Sequence, residues 1–203
     1  MTVRAYLGLG SRYSYLASTQ LARISKSHGV EIDWIPVNSV ELIRRARPDG
    51  SPFEAPSLAG QYDPAFRSED AARWARYYGV RFVEPQPSSL PANALALACW
   101  CQPDRQLRQA LMTEIFTRIF CDGAAMDLQT LVSLGQPFSV GRAQLDEALS
   151  GGQAHELHED AIAQALRAGV FGVPSFVVDE QVFWGNDRLP LLEHHLAQGR
   201  NAS

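Results

Sequence analysis

The chain has 203 residues, of which 46% are hydrophobic and 20% are charged, and this is enough apolar sequence to bury a substantial core. Its net charge is −4 and no run of lysines and arginines stands out, so the composition argues against nucleic-acid binding. The apolar stretches are too short to cross a bilayer and no secretory signal pattern is present, so we expect a cytoplasmic protein without a membrane partner.

The first part of the chain alternates strand and helix patterns. Apolar residues at every second position predict a strand over Val3–Leu9. Ser11–Ser14 then opens a helix that runs to about His28, where Gly29 ends it. A second alternating segment, Val30–Val37, predicts a strand that pairs in parallel with the first strand through a right-handed crossover.

The middle of the chain is predicted to be a loop followed by helices. Six prolines and glycines between positions 45 and 65 predict a long loop over the surface or the site, which makes it a candidate lid. Helical patterns follow over Arg67–Tyr78, Ala92–Cys101, Asp104–Cys121, Asp127–Leu134, Val140–Leu149 and Ala154–Ala168.

The chain closes with two short strands and a helix, predicted over Ser175–Val178, Gln181–Trp184 and about Asp187–Gln198. The complete order, β-α-β, helical block and β-β-α, predicts an α/β protein with a thioredoxin-like fold and a large all-helical insertion. In this division, residues 1–40 and 170–203 form the thioredoxin-like domain. Residues 41–169 form the helical insertion domain, and the two build a single compact unit.

A split pair of motifs marks the expected site. Gly10-Ser11-Arg12-Tyr13-Ser14 follows the first strand, and Val170-Phe171-Gly172-Val173-Pro174-Ser175-Phe176 opens the third. Together they look like a thioredoxin-type active site in which Ser11 and Ser14 replace both cysteines of C-x-x-C. Two serines cannot cycle between dithiol and disulfide, which argues against a disulfide oxidoreductase. Any sulfur chemistry must therefore use a ligand's sulfur.

The residue types in both motifs suit a thiol ligand. At the helix start near Ser11, unpaired N–H groups and the positive dipole end favour an anion, and the hydroxyl can donate one more hydrogen bond. Alternatively, Ser11 or Ser14 only caps the helix, as serine often does. A cis Val173–Pro174 bond would expose the backbone of Val173 to an extended ligand. The alternative is an ordinary trans proline at the first residue of a strand.

Three segments carry a family resemblance: Ser11-Arg12-Tyr13-Ser14-Tyr15-Leu16-Ala17, Phe171-Gly172-Val173-Pro174-Ser175-Phe176 and Trp184-Gly185-Asn186-Asp187-Arg188-Leu189. They resemble the 2-hydroxychromene-2-carboxylate isomerases, which are DsbA-like proteins related to kappa-class glutathione transferases. The resemblance implies a glutathione-dependent cis-trans isomerisation in the bacterial breakdown of naphthalene-like aromatics. The product would be a trans-o-hydroxybenzylidenepyruvate. The resemblance also implies a small aromatic carboxylate as substrate and a homodimer.

The same resemblance implies the roles of the site residues. Ser11 is then the catalytic residue that holds the glutathione thiolate, and the cysteinyl backbone of glutathione lies along Val173 and Pro174. The γ-glutamyl end would lie at the corner formed by Trp184, Gly185, Asn186 and Asp187. A carboxylate such as Asp187 suits the ammonium group of the ligand. Alternatively, Asn186 or Asp187 is a helix N-cap and Trp184 is part of the core.

The substrate half of the site is expected to contain a cation and an apolar wall, and Arg12 and Arg47 are the candidate cations. The chain departs from the family here, because Arg12 stands where proline is usual and Leu7-Gly8-Leu9 lacks the usual aspartate. These departures concern the aromatic substrate more than glutathione. Two alternative functions therefore stay open: a kappa-like glutathione transferase or peroxidase, and a non-catalytic thioredoxin-fold binding module.

The cysteines and histidines add little to this picture. Cys99, Cys101 and Cys121 are odd in number and lie in helical segments, so we predict buried core thiols rather than disulfides or a zinc site. His155 and His158 lie three positions apart on a helix, but they have no third ligand at matching spacing. We therefore expect no metal.

Overall fold

A computed structural model describes residues 1–47, 49 and 60–201, and at positions 61, 200 and 201 it describes the backbone alone. The predicted loop over residues 45–65, with its candidate lid, falls mostly on residues 48 and 50–59, which lie outside the described residues. Where the chain is described, no helix has the length and apolar character needed to cross a membrane.

Four strands form one mixed sheet in the order β2-β1-β3-β4. Their bounds are β1 Thr2–Leu7, β2 Glu31–Pro36, β3 Ser175–Val178 and β4 Gln181–Trp184. β1 pairs in parallel with β2 and antiparallel with β3, and β4 is antiparallel to β3. The sheet therefore joins the two ends of the chain, as the predicted element order requires.

The helices in the described chain are α1 Arg12–His28, α2 Ser39–Ala46, α3 Pro64–Tyr78, α4 Ala94–Trp100, α5 Arg105–Phe120, α6 Leu128–Gly135, α7 Arg142–Ser150, α8 Gln153–Arg167 and α9 Leu189–Asn201. Three short 3-10 turns accompany them, at Gly60–Tyr62, Gln136–Phe138 and Asn186–Arg188. The last helix, predicted to begin at about Asp187, begins at Leu189 and is preceded by the 3-10 turn Asn186–Arg188. The Arg188 N–H donates to the Gly185 carbonyl, and this closes a tight 3-10 turn before α9 begins.

Polar side chains and glycines set the helix ends. Ser11, Asn38 and Asp104 each accept hydrogen bonds from N–H groups in the first turn of α1, α2 and α5. α1 ends at Gly29 with φ 63°, a left-handed conformation in which glycine carries no steric penalty. The cap at Ser11 fixes where α1 begins and therefore where its N-terminus points.

Apolar side chains cover both faces of the sheet. Val3, Ala5 and Leu7 of β1 belong to the larger cluster, which includes Tyr15 of α1 and Phe116 of α5. The other face carries a smaller cluster with Tyr6, Ile162 and Val177. The ring centroids of Tyr15 and Phe116 are 6.1 Å apart, so α5, within the predicted insertion, packs directly on α1.

The three cysteines are free thiols, but only Cys99 is buried. The prediction that all three are buried core thiols was therefore wrong for Cys101 and Cys121, which are half-buried. Both follow the last residue of a helix, at the C-caps of α4 and α5, where the chain turns toward the surface. The Cys121 sulfur lies 3.1 Å from the Tyr15 hydroxyl.

A buried histidine connects α8 to the start of α2. The His158 side chain is 2% exposed, and its Nε2 accepts a hydrogen bond from the Asn38 N–H at 3.0 Å. Asn38 in turn caps α2 through its side chain, which accepts from the N–H groups of Val40 and Glu41. Burial is the main cause that lowers the pKa of His158 to about 4. The ring is therefore neutral in the folded protein near pH 7.

Because His158 is buried in its neutral form, we expect the stability of the folded protein to fall at acidic pH. An unfolded histidine titrates near pH 6.5 and folded His158 near 4, so the stability it contributes is complete above about pH 6.5 and is lost as the pH falls toward 4. We expect His158→Gln to remove about 2 kcal/mol of the pH dependence between pH 7.5 and 4.5. Urea unfolding at both pH values measures it. Exposed His194→Gln is the control, and an equal loss of pH dependence in that variant would contradict the assignment.

Candidate functional site

The N-terminus of α1 and the turn before β3 lie against each other. The Val173–Pro174 peptide bond, which the sequence left open, is cis. Gly8, at the end of β1, is packed so closely against this turn that a Cβ built on it would lie 3.0 Å from Val173 Cγ2. The Ser11 N–H donates to the Gly8 carbonyl at 3.0 Å. The fold therefore brings together the two motifs that are more than 150 residues apart in the sequence.

Ser11 is the N-cap of α1. Its Oγ accepts a hydrogen bond from the Ser14 N–H at 3.2 Å, as the capping interpretation predicts. An oxygen that accepts one bond can still donate its own proton, and no described residue accepts that proton. The N–H groups of Arg12 and Tyr13 also have no acceptor within the described chain. The start of α1 therefore presents several donors to an anion, and capping does not exclude this role.

Ser14 has a different role from Ser11. It is fully buried, and its hydroxyl accepts a hydrogen bond from the Gly8 N–H at 3.2 Å. This bond takes the Gly8 N–H out of the strand ladder, so β1 ends at Leu7 rather than at the predicted Leu9. Ser14 thus holds the loop that leads to Ser11.

The turn at Val173 offers backbone groups to a ligand. Among the described residues, neither the N–H nor the carbonyl of Val173 has a hydrogen-bond partner. The next carbonyl, that of Pro174, accepts from the Gly185 N–H at 2.9 Å. This bond ties the segment after β4 to the turn, so the third predicted motif also joins the site.

The corner after β4 contains one exposed carboxylate. Asp187 is exposed and its carboxylate lies 3.0 Å from the Arg188 guanidinium. Asn186 is 3% exposed, its side-chain nitrogen has no partner in the described chain, and its carbonyl accepts from the Tyr78 hydroxyl at 3.2 Å. Gly185 has φ 107°, which a side chain would strain. Asp187 is therefore an accessible carboxylate at this corner, paired with the similarly exposed Arg188.

Trp184 lies at the end of the edge strand β4 and is 40% exposed. Its ring packs edge-on against Phe171 with centroids 4.9 Å apart, and a Cβ on Gly172 would lie 2.9 Å from its Nε1. The indole therefore borders the Val173–Pro174 turn from the side and is not part of the core.

Charged residues that the sequence did not single out surround Arg12. The Nε of Arg12 lies 3.1 Å from both Glu84 oxygens, and Ser68 donates to the same carboxylate at 3.0 Å. The Tyr13 hydroxyl donates to Asp70 at 2.9 Å. The Arg12–Glu84 contact spans 72 residues of sequence, the Tyr13–Asp70 contact 57 and the Ser68–Glu84 contact 16, and no periodicity or motif signals them.

Arg47, the other candidate cation, is not brought to this site by any described contact. It is the C-cap of α2, at the opposite end from Ser39, which borders Gly8. A cavity of about 640 Å³ lies between α1, α3 and α9, lined in part by Trp74, Tyr78 and Leu189. It lies beside the Asn186 corner and does not include Ser11.

The close packing around Gly8 can be tested by substitution. We expect Gly8→Ala to destabilise the protein by about 1–3 kcal/mol, because its Cβ would press on Val173 and on Ser39 at 3.1 Å. Gly10→Ala is the matched control, since its Cβ would meet no atom within 4 Å. Chemical denaturation measures both. Equal stability of the two variants would contradict the close approach of the loop and the turn.

Comparisons with known proteins identify the family of the chain. The family of DSBA-like thioredoxin domains matches residues 2–197, so the chain belongs to that family. Relatives from Pseudomonas putida and Sphingobium xenophagum, both named 2-hydroxychromene-2-carboxylate isomerase, are each 28% identical to it. Their alignments cover 98% of this chain and 95% of the first relative, and 96% of this chain and 97% of the second.

Two solved structures show the same fold. A 2-hydroxychromene-2-carboxylate isomerase superposes with a TM-score of 0.80 at 23% identity, over 100% of both chains. The cytosolic disulfide reductase DsbM from Pseudomonas aeruginosa, solved with GSH, superposes with a TM-score of 0.61 at 16% identity, over 97% of this chain and 100% of that chain. The thioredoxin-like fold and the family resemblance predicted from the sequence are confirmed.

Proposed function

We propose that the protein is a glutathione-dependent cis-trans isomerase acting on a 2-hydroxychromene-2-carboxylate or a closely related aromatic carboxylate. One observation carries the proposal: the donor-rich start of α1 at Ser11 lies against the cis turn whose Val173 backbone has no partner among the described residues. An anionic sulfur and an extended peptide backbone are the two groups that such a pair of surfaces suits. The names of the sequence relatives supply the reaction.

The proposed position of glutathione uses three parts of the site. Its thiolate would lie at the N-terminus of α1, and its cysteinyl backbone would pair with Val173. Its ammonium group would meet the Asp187 carboxylate, whose present partner is the exposed Arg188. Replacing an exposed ion pair by a contact with the ligand costs little free energy, because exposed ion pairs contribute little to stability. The DsbM structure with GSH indicates that this fold can accommodate the ligand.

The chain's own contribution to the reaction is binding and charge placement. Glutathione, when bound, supplies a nucleophilic thiol whose reversible addition to a conjugated double bond permits rotation about that bond. Ser11 and the first N–H groups of α1 favour the deprotonated sulfur, while Val173 fixes the direction of the tripeptide. Arg12, the first residue of α1, is the candidate at this end of the site for contact with the carboxylate of the substrate.

The ion pair of Arg12 with Glu84 favours a second function. The guanidinium of Arg12 is already paired with Glu84, so a substrate carboxylate would have to compete for it. A kappa-like glutathione transferase or peroxidase needs no such clamp for neutral electrophiles. Conjugation of a generic neutral electrophile, with no turnover of the chromene carboxylate, would favour this alternative. Failure to bind glutathione at all would favour a non-catalytic binding module.

Calorimetric titration with glutathione tests the cofactor. We expect the wild type to bind and Asp187→Ala to bind about tenfold more weakly, because one charge-assisted contact is lost. Asp146→Ala is the control, since Asp146 has an exposed ion pair of the same kind on α7. No heat of binding with the wild type, or equal weakening by both variants, would contradict the proposed site.

The assembly and location of the protein stay predictions. The proposed homodimer is tested by light scattering during size-exclusion chromatography, with the monomer mass of 22.4 kDa as the reference. The three free thiols of the chain agree with the proposed reducing, cytoplasmic environment.

A further inference from the structure

The ion pair between Arg12 and Glu84 lies directly beside the start of α1. Arg12 follows Ser11 in sequence, and its side chain is only 19% exposed. Its Nε lies 3.1 Å from each Glu84 oxygen, and its terminal nitrogen contacts the same carboxylate. A two-point contact of this kind fixes both the position and the plane of a guanidinium. Arg12 is therefore not a freely moving surface arginine.

Glu84 is itself held by a third element. The Ser68 hydroxyl of α3 donates to the Glu84 carboxylate at 3.0 Å. Burial acts to raise the pKa of Glu84, but the hydrogen bonds and charge of Arg12, with the Ser68 bond, lower it below its usual range. Glu84 is thus a carboxylate at neutral pH. The pair connects α1, α3 and the segment before α4.

Within the described chain, α1 and α3 contribute further charged and titratable groups around the pair. The Arg67 guanidinium lies 6.0 Å from the centre of the Tyr13 ring, and burial first and the charge of Arg12 second lower its pKa. Burial and the Asp70 hydrogen bond raise the pKa of Tyr13 to about 12, so its phenol stays neutral. Near the start of α1 two positive charges, Arg12 and Arg67, thus accompany two negative ones, Glu84 and Asp70.

We propose that Glu84 is a positioning residue that holds Arg12 at the start of α1 and offsets its charge, and so sets what fraction of the glutathione at Ser11 is thiolate. This inference rests on the proposed function. It explains how an arginine can stand next to Ser11 without presenting an uncompensated charge to the ligand. Removal of Glu84 alone leaves the positive charge of Arg12 uncompensated, and removal of Arg12 alone leaves the negative charge of Glu84 uncompensated. The two removals should therefore shift the thiol pKa of bound glutathione in opposite directions.

The test is a pH titration of the ultraviolet thiolate absorbance of bound glutathione. We expect Glu84→Gln to lower the titration midpoint by about one pH unit, since Arg12 then acts alone on the sulfur. Arg12→Gln is expected to raise the midpoint by a similar amount, because Glu84 is left without its cation. The double variant should titrate close to the wild type. Glu69→Gln, which breaks an exposed ion pair with Arg73 on α3, is the control and should not shift the midpoint.

If the Arg12–Glu84 pair only stabilises the fold, the variants give different results. If the pair only connects α1 to the insertion, both single variants lower the melting temperature and neither moves the midpoint, which would overturn the inference. Shifts of the same sign in both single variants would overturn it as well. Glu84→Asp retains the negative charge, but the shorter side chain places the carboxylate farther from Arg12. This second variant should therefore lower the titration midpoint as Glu84→Gln does, but by a smaller amount. No binding of glutathione to the wild type would overturn the proposed function, and this inference with it.

Discussion

Ser11→Ala is expected to lower the glutathione-dependent isomerisation rate by about tenfold to a hundredfold, which corresponds to one lost hydrogen bond to a charged group. The hydroxyl donates to no described residue, so a ligand thiolate at the start of α1 is a natural acceptor for it. Because the thiolate loses a donor, the thiol pKa of bound glutathione should rise. Steady-state rates across pH measure both effects, and the rate loss should be largest at low pH.

The same substitution removes the cap of α1, so its control must also lose a cap. Asp104 caps α5 by accepting from the N–H groups of Gln106 and Leu107, far from Ser11 in the sequence. Asp104→Ala and Ser11→Ala should each cost about 1 kcal/mol of stability, and only the second should change the rate. If Ser11→Ala loses stability but retains the rate and its pH profile, Ser11 is only a cap.

Phe116→Ala is expected to have the largest effect on stability, about 3–5 kcal/mol. The Phe116 side chain is 1% exposed and packs against Tyr15 of α1 and Phe120 of α5, with centroid distances of 6.1 and 6.3 Å. The substitution opens a cavity where the helical insertion meets the first helix of the thioredoxin-like part. Because one cluster contains residues of both parts, we expect the variant to unfold in a single transition at lower denaturant concentration.

Phe66→Ala is the matched control for this substitution, because Phe66 is 45% exposed at the start of α3. It should change the unfolding free energy by less than about 1 kcal/mol. Urea unfolding followed by both far-ultraviolet circular dichroism and tryptophan fluorescence measures all three proteins. Two separate transitions, with the insertion unfolding first, would contradict the prediction of one compact unit.

Local chemistry explains why much of the fold could be predicted from the sequence. The period-two pattern of Val30–Val37 predicts β2, and the serine-to-glycine span predicts α1, since caps and alternation are short-range signals. The sequence assigns the Val173–Pro174 turn to the site through its likeness, together with Ser11–Ser14, to a thioredoxin-type active site, since a Val-Pro pair at the start of a strand is by itself ordinary. Its cis geometry depends on tertiary packing and was not predictable.

Long-range electrostatic contacts could not be predicted from the sequence. Glu84 reaches Arg12 across 72 residues, and His158 reaches Asn38 across 120. Each pair depends on how helices dock, and docking leaves no period or spacing in the chain. Arg12 could therefore be named as a candidate cation, but its partner could not. The prediction that Cys101 and Cys121 are buried was wrong for a related reason. Helical periodicity does not show where the last turn of a helix leaves the core.

The most direct test of the proposed function is turnover of 2-hydroxychromene-2-carboxylate by protein purified free of glutathione and other small-molecule thiols. The reaction is run with and without added glutathione and followed by the change in ultraviolet absorbance. We expect conversion to the trans product only when glutathione is present, with saturation at the affinity measured by calorimetry. Equal conversion without glutathione would contradict the role of the Ser11 site as a thiolate site. No conversion despite glutathione binding would contradict the isomerase itself.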